Sequence, residues 1–308
     1  MTGQETNRRL ELFGTEVRIL IGPPSGSRAA VVEALLRRHH AILTRFHRGS
    51  ELSRLNADPR ELVPISAILA GALRAAVQAA ELTGGLVDPT LLGELERAGY
   101  ATSRLGMEPA DLRTALRAAP RRRPARPRDA ARWRAIEVGE RWVRRPPGMR
   151  LDLGGSAKGY AADSAAAMLE GHPSFAIDVG GDIAVGGSAG APRIAAVEDP
   201  LGRRDLRFRI RRGAVATSGI SRRLWPTPAG FGHHLIDPVS GRPAWTGVVQ
   251  ATAFADTAVR AEALAKAALL AGPEAGLHLL EPGGGALVLD DGSVRLAPRT
   301  TGERRSAA

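Results

Sequence analysis

The chain contains no cysteine among its 308 residues. Disulfide bonds, thiolate nucleophiles and cysteine-ligated zinc are therefore excluded. The sequence also lacks an uninterrupted run of about 18 apolar residues, which a membrane-spanning helix needs. Its N-terminal segment has no apolar signal-peptide core, because Glu11, Thr15, Glu16 and Arg18 interrupt the hydrophobic stretch. We therefore expect a cytoplasmic protein with no membrane span.

Lysine is nearly absent. Only Lys158 and Lys266 are lysines among the 43 cationic residues, and the net charge is +11. A basic balance of this size can indicate a nucleic-acid binder. Much of it lies in one segment, 117–145, which lacks the interleaved aromatic residues of a stacking surface. We expect no nucleic-acid partner and keep that function only as the least favoured one. Because Arg and Lys differ in shape and hydrogen bonding, the two lysine positions are candidate functional sites.

Apolar periodicity predicts an α+β architecture with glycine-rich turns gathered at one face. The chain is predicted to form one domain over 1–308. Within it, 103–132 is a variable Arg/Pro-rich segment with a helix pair and a surface loop, and 299–308 is a disordered tail. The predicted helices cover 28–46, 65–83, 156–171 and 257–272, and the predicted strands and hairpins cover 13–22, 133–143, 175–187, 192–198 with 205–211, 248–254 and 286–298.

Three glycine turns combine with polar or charged residues at strand ends, at 154–159, 178–182 and 217–219. Backbone N–H groups in the first turn, which precedes a helix, can cradle a phosphate. Lys158 would add a point charge there. Neither GxxxxGK[ST] nor GxGxxG is present. An ordinary strand-to-helix turn therefore stays open as the alternative.

Residues 151–163 (LDLGGSAKGYAAD) resemble the DLGGxAKGYAxD signature of the FAD:protein FMN transferases, the ApbE-like flavin transferases. The resemblance implies mixed, largely antiparallel sheets with packed helices. It also implies an enzyme that moves FMN from FAD onto a Ser or Thr of a target flavoprotein and releases AMP. Further segments follow in that family's order: FGT at 13–15, SELSRLN at 50–56, GGLVDPT at 84–90, AIDVGGDIAVGG at 176–187, VATSGISRR at 215–223 and HHLIDPVSGRPA at 233–244.

The resemblance also implies a flavin wall. Phe46 is placed near this wall, with a plain core position as the alternative. An apolar surface with a few edge hydrogen bonds suits the isoalloxazine ring. The residues implied to contact the flavin are Phe13, Asn56, Leu86, Val87 and Asp88.

On the nucleotide side, the resemblance places Lys158 near the nucleotide and His234 and Ile236 along the pyrophosphate. His234 is a candidate for acid/base catalysis because its reference pKa lies near neutrality, and a structural histidine is the alternative. Four short carboxylates are expected to brace the glycine turns through backbone N–H groups. They are Asp152, Asp178, Asp182 and Asp237.

The metal site implied by the resemblance binds Mg²⁺ through a backbone carbonyl, here Gly155, and through an Asp and a Thr four residues apart on the late helix. Glu262 and Lys266 stand at those two positions. Glu is also a hard oxygen ligand, but an ammonium has no acceptor and cannot bind Mg²⁺. One hypothesis makes Lys266 a built-in cation in the metal's place. The other makes Glu262 and Lys266 a surface i,i+4 pair in an FAD-binding relative without transferase activity.

Overall fold

A computed structural model of the chain describes residues 4–189, 192–203 and 205–298. The predicted disordered tail, 299–308, lies outside these ranges. The helices are α1 (Arg28–Leu43), α2 (Glu51–Ala57), α3 (Ala67–Leu82), α4 (Leu92–Arg97), α5 (Leu112–Ala118), α6 (Ala157–Ala167), α7 (Ala258–Ala271) and α8 (Pro273–Leu280). The strands are β1 (Thr6–Leu12), β2 (Thr15–Ile21), β3 (Leu62–Pro64), β4 (Glu137–Val138), β5 (Trp142–Arg144), β6 (Phe175–Val179), β7 (Asp182–Gly186), β8 (Arg193–Val197), β9 (Leu206–Ile210), β10 (Gly213–Gly219), β11 (Leu224–Thr227), β12 (Gly230–His233), β13 (Ile236–Asp237), β14 (Arg242–Pro243), β15 (Val248–Ala255), β16 (Gly285–Leu289) and β17 (Val294–Ala297).

The main sheet has the order β1-β2-β6-β7-β10-β15-β16-β17. Its ladders are antiparallel, which confirms the α+β class and the largely antiparallel sheets. Helices α1, α6, α7 and α8 pack on the sheet. The β8–β9 hairpin contributes to a separate apolar cluster with β6, β7, β10 and β15. No helix in the described ranges is long and apolar enough to cross a membrane.

The N-terminal hairpin differs from the single predicted strand over 13–22. β1 pairs with β2 from Thr6–Ile21 to Leu12–Thr15, so the chain turns at Phe13 and Gly14. Both have positive φ, 56° and 70°, as a two-residue type I′ hairpin requires. The sequence pattern misses β1 because most of its side chains are exposed and its residues, TNRRLEL, show no clear apolar alternation.

The predicted helix pair within 103–132 is wrong, because this fully described segment contains one α-helix, α5. The predicted surface loop is also anchored. The N–H groups of Arg123 and Ala125 donate to the carbonyls of Trp245 and Leu270 at 2.9 and 2.8 Å. Proline and arginine dominate the composition here, so helical periodicity could not reveal which backbone groups pair with distant residues.

The other element predictions are largely confirmed. The strand pairs β6–β7, β8–β9 and β16–β17 form as expected, and Gly272 ends α7. Two helices exceed the prediction. At 47–61 the sequence predicts a loop with one helical turn, and the structure has the two-turn helix α2, whose N-cap Ser50 accepts from the Ser53 N–H at 3.0 Å. Helix α8 follows α7 directly.

His233 is fully buried against Trp245, with ring centroids 4.9 Å apart. Burial lowers the pKa of His233 to about 3, although a backbone hydrogen bond opposes the shift. In the unfolded chain the His233 imidazole, with a pKa near 6.5, takes up a proton as the pH falls, whereas the folded chain keeps it neutral. The stability that depends on neutral His233 is therefore fully present above pH 6.5 and is lost as the pH falls toward 3.

The free energy of unfolding of the wild-type chain falls between pH 7 and pH 5. We expect this fall to be about 2 kcal/mol smaller in His233→Gln. Urea unfolding at both pH values measures the difference. Exposed His47 provides the control, since His47→Gln should leave the pH dependence unchanged. If the unfolding free energy of His233→Gln depended on pH as that of the wild type does, this would contradict the conclusion that buried His233 stays neutral in the folded chain.

Candidate functional site

The three predicted glycine turns line one cavity of about 1310 Å³. This volume exceeds the roughly 300–1,000 Å³ typical of pockets for drug-sized ligands. It is large enough to suit a dinucleotide. Most of the predicted site residues line it: Phe13, Leu86, Val87, Asp88, Gly155, Lys158, His234, Ile236, Glu262 and Lys266.

Helices α6 and α7 approach closely enough to place charged side chains at the first glycine turn. A Cβ on Gly159 would lie 2.7 Å from the carbonyl carbon and oxygen of Ala258 and from the nitrogen of Val259. Asp163 on α6 accepts from the N–H groups of Ala258 and Val259 at 2.7 and 2.9 Å. The Gly159 N–H donates to Glu262 Oε2 at 2.9 Å. The glycine therefore fixes the position of Glu262.

We expect Gly159→Ala to lower the free energy of unfolding by about 1–3 kcal/mol, because the neighbouring atoms are backbone and cannot rotate away. Chemical denaturation measures the change. Gly93 in α4 is a matched control, since a Cβ there meets only arginine side chains at 3.6 Å or more. Gly93→Ala should be neutral or slightly stabilising. Equal stabilities for the two variants would contradict the close approach.

Four charged residues form a cluster beside the cavity, which we call the charge cluster: Lys158, Asp182, Glu262 and Lys266. Asp182, Glu262 and Lys266 are buried, whereas Lys158 is partly exposed. Lys158 Nζ pairs with Asp182 Oδ2 and lies 3.5 Å from Glu262 Oε1. Lys266 Nζ lies 3.6 Å from the same Glu262 oxygen and donates to the Gly154 carbonyl at 3.1 Å. The two lysines of the chain thus flank one carboxylate beside the first glycine turn.

The charges in this cluster perturb one another. Burial, reinforced by Glu262, raises the pKa of Asp182 to about 7. Burial also favours a raised pKa for Glu262, but Lys158 and Lys266 outweigh it and hold that pKa below its usual value. Burial lowers the pKa of Lys266, while Glu262 opposes the shift. Clusters of this kind in a cavity are typical of functional sites.

Asp182 corrects the expectation that all four short carboxylates brace turns. Asp152 and Asp178 do so, accepting from the Gly154 and Gly181 N–H groups at 2.9 and 2.8 Å. Asp237 likewise accepts from backbone N–H groups. Asp182 is instead fully buried in the charge cluster, and its Oδ1 has no hydrogen-bond partner among the described residues.

The apolar part of the cavity wall includes Phe13, Leu86 and Val87. The Phe13 N–H donates to His40 Nδ1 at 3.1 Å, and the two rings meet edge to face. Asp88 braces its own turn by accepting from the Thr90 N–H and hydroxyl at 2.8 and 2.7 Å.

Asn56 is not brought to the cavity with the other predicted flavin contacts. Its side-chain amide donates to the Leu151 carbonyl and accepts from the Leu151 N–H, each at 2.8 Å. Both polar ends are thus committed to the backbone that leads into the first glycine turn. Asn56 therefore braces the backbone behind the site.

Tyr100 is a cavity residue that sequence reasoning missed. Its ring stacks on Trp225 with centroids 5.6 Å apart and meets Phe46 edge to face at 5.5 Å. Phe46 is 40% exposed, so it is a cavity-wall residue and not a core position. Since the chain has two tyrosines, scarcity could have indicated Tyr100 as it did the lysines.

Arg45 adds a cation to this aromatic surface. Its guanidinium carbon lies 4.2 Å from the Phe46 centroid and 4.7 Å from that of Tyr100, within the range of cation–π attraction. Its Nε also pairs with Asp152 at 2.7 Å. Arginine is so frequent in this chain that no sequence signal could single out Arg45.

His234 lines the cavity with its Nδ1 buried and without a hydrogen-bond partner in the described part of the chain. Burial, reinforced by Arg223 and Lys266, lowers the pKa of His234 well below 6.5. The imidazole is therefore neutral at physiological pH. A neutral imidazole with a free ring nitrogen can accept a proton.

Comparison with known proteins gives one consistent family. The model of the ApbE family matches residues 13–288. The FAD:protein FMN transferase of Treponema pallidum is 31% identical, and the match covers 95% of this chain and 86% of that protein. The FAD:protein FMN transferase of Haemophilus influenzae is 25% identical over 81% of this chain and 74% of that protein.

Solved structures agree on the fold. The ApbE protein of Thermotoga maritima has a TM-score of 0.78 at 26% identity, covering 96% of this chain and 97% of that one. The flavinyl transferase ApbE of Pseudomonas stutzeri has a TM-score of 0.74 at 22% identity, with 96% of each chain covered. At the latter identity the likeness concerns the fold alone.

Proposed function

Since the chain belongs to the ApbE family, we propose that it is an FAD:protein FMN transferase. In this proposal it moves the FMN half of FAD onto a Ser or Thr hydroxyl of a target flavoprotein and releases AMP. FAD is the substrate and the second substrate is a protein.

The observation that carries the proposal is the composition of the cavity that the three glycine turns line. Glycine turns and the two lysines line it together with an apolar and aromatic surface. Phosphates bind to such turns and cations, while an isoalloxazine ring suits the apolar surface. FAD carries both chemical features in one molecule.

The proposed reaction is a phosphoryl-type transfer. The acceptor hydroxyl oxygen attacks the phosphorus of the FMN half, and a new P–O bond forms. The bond from that phosphorus to the bridging oxygen breaks, and AMP leaves with the electron pair. Positioning and neutralisation of phosphate charge supply most of the catalysis in such reactions. We assign His234 as acceptor of the hydroxyl proton, because it lines the cavity and its imidazole is neutral.

The purified chain, mixed with FAD and a candidate flavoprotein acceptor, tests this function. Covalent flavin fluorescence should appear on the denatured acceptor and not on an acceptor whose target hydroxyl residue is changed to alanine. FAD binding without covalent product, across acceptors and cation conditions, would instead favour a family member that holds FAD without transferring FMN.

A further inference from the structure

The helix position at which the resemblance implies a metal ligand carries a buried ammonium instead. Glu262 is 1% exposed and Lys266 is 9% exposed. This burial rules out the surface i,i+4 pair as an explanation of the two residues. Charges are seldom buried to this extent unless they are paired.

The side chains at this point do not fit a divalent ion. Glu262 Oε2 already accepts from the Gly159 N–H, and Oε1 faces ammonium groups at 3.5 and 3.6 Å. An additional divalent cation beside that oxygen would be repelled by both ammoniums. Across residues 4–189, 192–203 and 205–298, no group of three or more His, Asp or Glu side chains is arranged to hold a metal.

Lys266 makes the contacts that a cation at this place would make. Its Nζ lies between the Glu262 carboxylate and the Gly154 carbonyl. The implied metal ligand was the carbonyl of Gly155, one residue later in the same turn. Among the described residues the ammonium donates one hydrogen bond, to the Gly154 carbonyl, so it can donate to a further acceptor, and Lys266 lines the cavity.

We propose that the Lys266 ammonium is the permanent cation of the pyrophosphate site and that FAD binds to this chain without a divalent metal. The proposal rests on the proposed function, since it concerns the same FAD site. An ammonium acts on phosphate as a point charge. The Glu262–Lys266 pair carries no net charge, whereas a carboxylate with Mg²⁺ carries +1, so the two arrangements predict different responses to added metal.

Calorimetric titration of FAD into the full chain, in EDTA and in excess MgCl₂, tests the proposal. The wild-type affinities should agree within about twofold. Lys266→Met should weaken FAD binding about 10- to 100-fold in both solutions, because a charge-assisted hydrogen bond is lost. Lys266→Thr restores a hydroxyl near Glu262, and its FAD affinity should rise about tenfold or more when Mg²⁺ is added.

Exposed Arg260 on the same helix provides the matched control, and Arg260→Thr should leave FAD binding unchanged in both solutions. Wild-type binding that requires Mg²⁺ would overturn the inference while leaving the FAD site intact. Wild-type affinity in Lys266→Met would also overturn it. Absence of FAD binding in both solutions would overturn the proposed function and the inference with it.

Discussion

Glu262→Gln is expected to lower the free energy of unfolding by about 3–5 kcal/mol, one of the largest effects of a single isosteric change in this chain. The buried carboxylate is the shared partner of two ammoniums, Lys158 at 3.5 Å and the buried Lys266 at 3.6 Å. Its removal leaves Lys266 buried with only the Gly154 carbonyl as a hydrogen-bond acceptor in the described structure. Breaking one partner of a buried pair is costly because the remaining charge has lost its solvent and its counterion. Denaturant unfolding measures the loss.

Two further variants identify the cause. Glu262→Gln combined with Lys266→Met removes both charges and should be more stable than Glu262→Gln alone. Glu96 forms a more exposed pair with Arg150 at 2.7 Å, so Glu96→Gln should cost only about 0–1 kcal/mol. A Glu262→Gln variant no less stable than Glu96→Gln would contradict the ionised, buried pair.

The second large effect concerns catalysis. We expect His234→Ala to lower the rate of flavin transfer about 10²- to 10⁴-fold, because it removes the proposed proton acceptor. FAD affinity should change little, since the neutral imidazole contributes no charge to phosphate binding. Single-turnover transfer to the acceptor, with FAD in excess, separates the chemical step from binding.

The neighbouring histidine serves as control. His233 is fully buried against Trp245 and does not belong to the cavity wall. His233→Gln should therefore keep the transfer rate at temperatures where the variant is folded. Transfer by His234→Ala within a few-fold of wild type would remove His234 as the proton acceptor and leave it a structural residue.

Local sequence patterns predicted well those elements whose turn and periodicity signals lie within the segment itself. The hairpin with Asp-Gly at its turn and the strand pair around Gly180 and Gly181 form as expected. The sequence pattern did not predict β1, because it is an edge strand with mostly exposed polar side chains. The arrangement of 103–132 was not predictable because several of its backbone hydrogen bonds go to residues more than 100 positions away, as at Ala110, Arg123 and Ala125.

The site was predictable to the extent that rare residues marked it. The two lysines were found because arginine replaces lysine elsewhere. The burial of the Glu262–Lys266 pair was also readable in principle, because both residues stand among alanines and leucines in a mostly apolar helix. The mutual arrangement of Lys158, Asp182 and Glu262 could not be predicted, because it depends on how closely α6 approaches α7 at Gly159.

The most direct test of flavin transfer is the ratio of AMP released to flavin bound covalently, with the acceptor analysed by intact mass. The proposed function predicts one AMP for each flavin attached and an acceptor heavier by an FMN group less one water. AMP release with an unmodified acceptor would show hydrolysis of FAD and contradict transfer. No AMP and no mass increase, with a competent acceptor and bound FAD, would contradict it equally.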